Sequence, residues 1–481
     1  RNFNRLAARS VTFDNHHVGG LPCMPARRDL IAGRLSFLHR SWGPLEPFDR
    51  PLPQLLHAAG VYSHLITDHY HYFEIGGAGY HNTYTSFEFH RGQEGDPWRA
   101  LVDPPLARWR QRYHPAQYAE TPRDIRYHYM ANRERMASEA DFSSVQCFDS
   151  ASSFIAANKD ADDWFLQIEV FDPHEPFHAP ERLRARFPTD YEGPVRDWPP
   201  YAKVSEDAAE ADEMRANHMA LLALCDEQLG RLLDLMDEND MWRDTMLVVS
   251  TDHGFLTGEH DWWAKNRMPA YREIAHIPLF IHHPDRAGEA GSRRATLTQT
   301  PDLMPTFLDA FGCAAPAAVR GRSLLPALAD RNEAGHEAVI FGYFGGAINV
   351  SDGRHTLFRY PPDLLDQRLY QYTLMPCHML THFTEAELAG AELVTGLAFA
   401  EGLPVLKIPV VDASPWYHSH GPAAMEQQGT LLFDTETDPA QAKPLEDPAL
   451  GARMEALLVA EMARHGAPPE AYTRLGLTET V

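Results

Sequence analysis

The stretch Thr245-Met246-Leu247-Val248-Val249-Ser250-Thr251-Asp252-His253-Gly254 decides the fold. Its continuous apolar run is of the kind buried on both faces of a parallel sheet. The run delivers an acid and an imidazole at its C-terminal end, where Gly254 permits a tight turn. Two other runs behave alike. Val61 to Thr67 leads into Asp68-His69-Tyr70-His71, and Trp164 to Phe171 leads into Asp172-Pro173-His174-Glu175-Pro176-Phe177. Ile277 to Ile281 reads as a further strand. Helical patterns lie between them, over Leu52 to Ala59, Asp141 to Asn158, Ala208 to Asn239 and Thr300 to Leu308. In the long helix Leu222, Cys225, Leu229, Leu232 and Met236 recur at steps of three and four, which places Cys225 in the core.

Alternating strands and helices predict an α/β fold with a mostly parallel central sheet sandwiched by helices. Ligands gather at the carboxyl ends of such strands. His69, His71, His174, Asp252 and His253 all fall at those ends. His69 and His71 are two apart, so on an extended chain they face the same way and suit an oxyanion or leaving-group site. Packing within an aromatic-rich loop is the plain alternative for that pair. The irregular stretch from Gly76 to Tyr129 is long enough to suggest a functional excursion.

A second stretch, Leu21-Pro22-Cys23-Met24-Pro25-Ala26-Arg27-Arg28-Asp29-Leu30-Ile31-Ala32-Gly33-Arg34, places a cysteine at a helix start. Pro25 suits the first turn and Gly33 suits the stop. The free N–H groups there favour an anion, and Arg27 adds a fixed cationic fork. A buried cysteine packing as a small hydrophobe fits the same residues.

The whole chain bounds the reading. It has 481 residues, 44% hydrophobic and 11% aromatic, with 43 Lys plus Arg against 67 Asp plus Glu. The net charge of -24 argues against nucleic-acid or anionic-membrane partners, though not against a local cationic pocket. No apolar run approaches the roughly 20 residues of a membrane span. The 5 cysteines are scattered without CxxC pairing, which disfavours a disulfide framework or a zinc–thiolate site. The composition shifts after Gly335. Residues 1–335 are therefore expected to form the main domain and 336–481 a smaller α+β subdomain, with an Asp352-Gly353 hairpin and a final helix after Asp447-Pro448. The opening Arg1-Asn2-Phe3-Asn4 reads as mid-domain, so an N-terminal segment carrying the first strand is expected ahead of it. A soluble protein, cytoplasmic or periplasmic, is expected.

At this point the residues resemble a family. Cys23-x-Pro25-x-Arg27-x-x-Leu30-x-Ala32-Gly33-Arg34 is similar to the signature of the type I, formylglycine-dependent sulfatases of the alkaline-phosphatase-like superfamily, with Ala32 at the usual Thr. Thr251-Asp252-His253-Gly254, then Gly258-Glu259-His260 and Lys265, resembles the second active-site block. His174-x-Pro176-Phe177 and Leu432-Phe433-Asp434-x-x-x-Asp438-Pro439 look like later blocks, so the resemblance runs nearly the whole chain.

The resemblance implies a sulfatase that cleaves a sulfate monoester, small-molecule or saccharide, to alcohol and sulfate. It implies that a formylglycine-generating enzyme oxidises Cys23 and that the hydrated aldehyde attacks sulfur, the second hydroxyl then expelling sulfate. It further implies a divalent cation, calcium in most relatives, with Asp252 and His253 among its ligands. Arg27 would hold the attacking oxygen, Lys265 would bind sulfate, and His174 would orient sulfate or protonate the leaving oxygen. Two features depart from the family. Its opening Asp-Asp strand has no counterpart ahead of the signature. His69 and His71 stand where Gly-Lys-x-His is usual. A phosphonate monoester or phosphodiester hydrolase, and a non-catalytic binding protein on the same scaffold, are the rival readings.

Overall fold

The structure, a computed structural model, describes residues 1–478. Helix α1 (Asn2–Arg9) buries Leu6 and leads into strand β1 (Val11–His17). A two-residue strand, β2 (Gly20–Leu21), then turns the chain into helix α2 (Cys23–Ala32), whose first residue is the signature cysteine. Gly33 ends α2 at φ 64°, a left-handed conformation that glycine adopts without penalty. The charged residues of the signature that lie off the catalytic face hold the turn in place. Asp29 accepts hydrogen bonds from Gly20 N, Ser36 N and Ser36 Oγ, while Arg28 and Arg34 both pair with the buried Asp49. Met24 and Ile31 of α2 pack with Leu65, Trp42, Tyr72 and Tyr80.

The α/β fold is present, its parallel pairings divided between two sheets in residues 1–335. In the first, β3 (Tyr62–Thr67) lies between β4 (Ser86–Phe89) and β5 (Trp164–Glu169), all parallel. The second is mixed. There β1 pairs in parallel with β10 (Arg293–Gln299) but antiparallel with β9 (Leu279–His282), and β9 pairs antiparallel with β6 (Leu247–Ser250). The reason lies in the connection from β6 to β9. It carries only the short ribbon of β7 (Leu256–Thr257) and β8 (Trp263–Ala264) and a four-residue helix, so no full-length crossover helix returns the chain parallel to β6.

Alternate residues of the central strands bury on opposite faces. Leu247 and Val249 pack with Leu6, Leu229 and Leu233, whereas Val248 packs with Leu303 and Phe307. Helix α3 (Leu52–Ala58), helix α4 (Ser143–Asn158), the long helix α5 (Ala208–Glu238) and helix α6 (Leu303–Ala310) supply these layers. Each of β5 and β6 pairs with one neighbouring strand, and both line one cavity of about 1510 Å³ that ends at Arg27, His174, Asp252, His253 and Lys265. Cys225, expected in the core, is half-buried and lines this cavity instead.

The remaining chain forms a five-stranded sheet in the order β17 (Leu431–Asp434), β13 (His355–Arg359), β12 (Ile348–Ser351), β11 (Val339–Tyr343) and β2. Its strands β12 and β13 form the expected hairpin, with Gly353 at φ 92°. Helix α7 (Pro448–Arg464), capped by the Asp447 side chain, lays Met454, Leu458 and Met462 on this sheet. A small antiparallel sheet of β14 (Tyr370–Thr373), β16 (Val405–Pro409) and β15 (Glu392–Val394) lies beyond it. Because β2 pairs with β11, the signature loop is stitched directly to the C-terminal sheet. Among the described residues no helix is long and apolar enough to cross a membrane.

Candidate active site

Cys23 begins α2 almost fully buried, its Sγ 3.3 Å from His253 Nε2 and 3.7 Å from Lys265 Nζ. Burial pushes the thiol up to about 11, although Lys265 opposes this. A thiol so held is protonated at neutral pH and is a poor nucleophile.

Arg27 lies one helical turn on, on the same face. Its Nε donates to Glu169 Oε1 at 2.5 Å, and its Nη1 donates to Asp252 Oδ2 at 2.6 Å and to the Cys23 carbonyl at 3.0 Å. Three segments thus meet at one guanidinium: α2, the end of β5 and the end of β6. Burial pushes the Asp252 carboxyl up, but His253, Arg27 and Lys265 outweigh it and hold the group well below the usual carboxylate range.

His253 follows with its Nδ1–H donated to the Gly254 carbonyl at 2.9 Å, which leaves the Nε2 lone pair facing Cys23. Burial, helped by Lys265 and opposed by Asp252, lowers its pKa to about 4. Glycine at 254 is required by close approach, since a Cβ there would lie 1.8 Å from the Glu273 carbonyl oxygen. Cys23 Sγ, an Asp252 carboxylate oxygen and His253 Nε2 lie within 4.8 Å of one another, a grouping able to hold a metal ion. Asp252 is ionised and His253 neutral, the protonation states that coordination needs, so these residues fit a divalent cation. Glu94, His174 and Glu175 form a second such grouping, but there Lys265 Nζ already sits 2.8 Å from His174 Nε2.

Lys265 is buried and His174, against which it packs, is half-buried. His69 is 1% exposed, and neither ring nitrogen has a hydrogen-bond partner. Burial, with Arg27 and His71, depresses its pKa well below the ordinary value. His71 lies one step further out, its Nδ1 2.6 Å from Glu74 Oε2 and its Nε2 3.8 Å from Glu94 Oε2. The extended geometry expected for this pair is absent. Tyr70–Phe73 is a 3-10 turn, so the two rings meet at 81° and 5.1 Å rather than side by side. The turn is favoured because it buries Tyr70 and Tyr72. His418 and His420 are exposed on the end of a short helix.

Contacts therefore unite Cys23, Arg27, His174, Asp252, His253 and Lys265, with His69 and His71 adjacent. Sequence reasoning missed three carboxylates here. Glu169 closes a strand in which Gln167 is the one other polar residue, a signal that was available. Glu175 sits inside the His-x-Pro-Phe block, and Glu94 comes from the long irregular excursion, at φ 42°. Neither carries a periodic signal.

Comparison with known proteins identifies the family and the fold. A family profile described as "Sulfatase" matches residues 1–313, and one described as "N-sulphoglucosamine sulphohydrolase, C-terminal" matches residues 258–371. The chain is 26% identical over 381 residues to the multifunctional alkaline phosphatase superfamily protein PehA of Trinickia caryophylli, covering 68% of this chain and 71% of that protein. Two solved structures share the fold. One, a protein in complex with its substrate D-glucosamine-2-N,6-O-disulfate, aligns with TM-score 0.64 and 14% identity over 98% of this chain and 94% of the other. The second, a phosphonate monoester hydrolase from Silicibacter pomeroyi, aligns with TM-score 0.60 and 20% identity over 96% of this chain and 89% of the other.

Proposed function

Because this chain belongs to the sulfatase family, we propose that it hydrolyses a sulfate monoester to an alcohol and inorganic sulfate at Cys23. The observation that supports this reading is the convergence on Cys23 Sγ of His253 Nε2 at 3.3 Å and Lys265 Nζ at 3.7 Å, with Arg27 anchored to the Cys23 carbonyl. The protonated thiol is unsuited to the reaction, so maturation to formylglycine by a formylglycine-generating enzyme is part of the proposal.

Formylglycine supplies a carbonyl hydrate as oxygen nucleophile, and a divalent cation, calcium in this reading, supplies positive charge that lowers the pKa of that oxygen. Asp252 and His253 are the residues that would hold the cation. The chain's own groups do the rest. Arg27, fixed by Glu169 and Asp252, donates to the Cys23 carbonyl and would help orient the oxygen that replaces the thiol. Lys265 offers an ammonium to sulfate oxygens, and burial of the site removes competing water. His69, buried beside these groups with neither ring nitrogen hydrogen-bonded, would support the site from behind. A saccharide or small-molecule sulfate is the proposed substrate class.

The test is direct. The peptide containing Cys23 should be about 18 Da lighter after co-expression with the maturing enzyme. That protein should release sulfate from an aryl sulfate faster than it cleaves a phenyl phosphonate ester. Preferred phosphonate or phosphodiester turnover would replace the sulfatase reading, and an unmodified thiol under those conditions would favour a binding protein.

A further inference from the structure

The His-x-Pro-Phe block leaves its second position open, and here that position is Glu175. The residue is 1% exposed. Its Oε1 accepts a hydrogen bond from Tyr201 OH at 2.5 Å. Its Oε2 has no hydrogen-bond partner and lies 3.3 Å from His174 Nδ1. The Glu175 backbone carbonyl lies closer still, 2.6 Å from the same Nδ1.

A carbonyl oxygen only accepts, so Nδ1 carries the imidazole proton. The other ring nitrogen is constrained from the opposite side. Lys265 Nζ is 2.8 Å from Nε2, and an ammonium only donates, so Nε2 must present a lone pair. Both ends of the ring therefore specify one neutral tautomer. While Lys265 is charged, His174 holds no proton on Nε2 to give. The donor facing the reaction is the Lys265 ammonium, which also donates to Cys23 Sγ at 3.7 Å.

We infer that Glu175 is a positioning residue that acts through His174 to hold the Lys265 ammonium as proton donor to the leaving alcohol. The inference rests on the sulfatase reading above. As the sulfuryl group passes to the attacking oxygen, the ester S–O bond breaks and its electron pair stays on the alcohol oxygen. That oxygen takes a proton from Lys265 Nζ. An O–H bond forms, an N–H bond breaks, and Lys265 is left as a neutral amine that water reprotonates. The carboxylate behind Nδ1 makes the imidazole a better acceptor at Nε2, which fixes the direction of the ammonium. The charged and titratable groups around Glu175 are His174 on its own loop, Tyr201 before α5, Lys265 after β8 and Glu94 after β4. Burial, partly opposed by Lys265, pushes the Glu175 carboxyl up to about 7.

Glu175→Gln keeps the shape of the side chain and removes its charge. The experiment uses the matured protein with two esters, 4-nitrophenyl sulfate, whose leaving group departs without a proton, and an alkyl sulfate, whose leaving group needs one. With Gln at 175, kcat on the alkyl ester should fall by about tenfold or more while kcat on the nitrophenyl ester changes little and KM holds for both. An equal loss on both esters would mark a merely structural role and overturn the inference, as would no loss on either. Should the Gln variant fail to fold, Glu175→Asp withdraws the carboxylate from Nδ1 and must show the same selective loss on the alkyl ester, an equal loss again overturning the inference. If the unaltered protein releases sulfate from neither ester, the sulfatase reading fails and the inference falls with it, a result seen before any variant is made.

Discussion

Arg27 and Asp252 are 225 positions apart in sequence, yet Nη1 donates to Oδ2 at 2.6 Å, and both side chains are largely shielded from solvent. The pair joins α2 to the end of β6 and leaves Asp252 ionised beside Cys23. Glu169 completes the arrangement from the end of β5. One guanidinium thus balances two carboxylates.

Removing that guanidinium leaves two half-buried carboxylates without their shared cation. Arg27→Ala should lower stability by on the order of 3 kcal/mol, a cost set by the unpaired carboxylates rather than by lost contact area. Arg27→Lys keeps the charge but not the fork and should fall between the two. Urea midpoints for the three proteins check this, and an Ala variant as stable as the parent would contradict it.

Cys23→Ala should reduce sulfate release by at least about 10³-fold, because no other group at the site can take over the nucleophile's role. The fold should be unaffected, since the change is small and the α2 turn is held by Asp29, Arg28 and Arg34. Unchanged turnover in the variant would remove Cys23 from the mechanism.

Chelation should abolish activity, and added calcium should restore it. Asp252→Asn should need at least about tenfold more calcium for half-maximal rate, since one anionic donor becomes neutral. Activity that survives chelator in the parent protein would argue against a working cation.

A pH effect on stability is expected from the buried carboxyl two residues before His174. Burial pushes the Asp172 carboxyl up to about 6, against hydrogen bonds from Ser144 and Gln93. Its folded-state pKa therefore lies above that of an unfolded aspartate, and between about pH 4 and pH 6 the folded state binds more protons than the unfolded one. Stability from this group is present at the acid side and is lost as pH rises through that window, by on the order of 3 kcal/mol. Asp172→Asn should flatten the urea midpoint over this range. The same slope in both proteins would show that Asp172 is not the source.

The sequence by itself determined the local pieces. Apolar runs marked β3, β5 and β6, and each carries its titratable residues just past the C-terminal end. Proline placement and Gly33 set Cys23 at the head of α2, and the Asp352-Gly353 turn set the hairpin. These features depend on burial period and backbone preference, which neighbouring residues express. Only the tertiary structure decided which charges meet. Glu169 reaches Arg27 across 142 positions, Glu94 arrives from a loop without periodicity, and Glu175 becomes significant only once burial brings Tyr201 and Lys265 to it. It also decided that β9 runs antiparallel and that His69 and His71 meet on a tight turn rather than an extended chain. Periodicity records which side chain leaves water, but the partner of a buried charge is chosen by packing, and no local pattern encodes that choice.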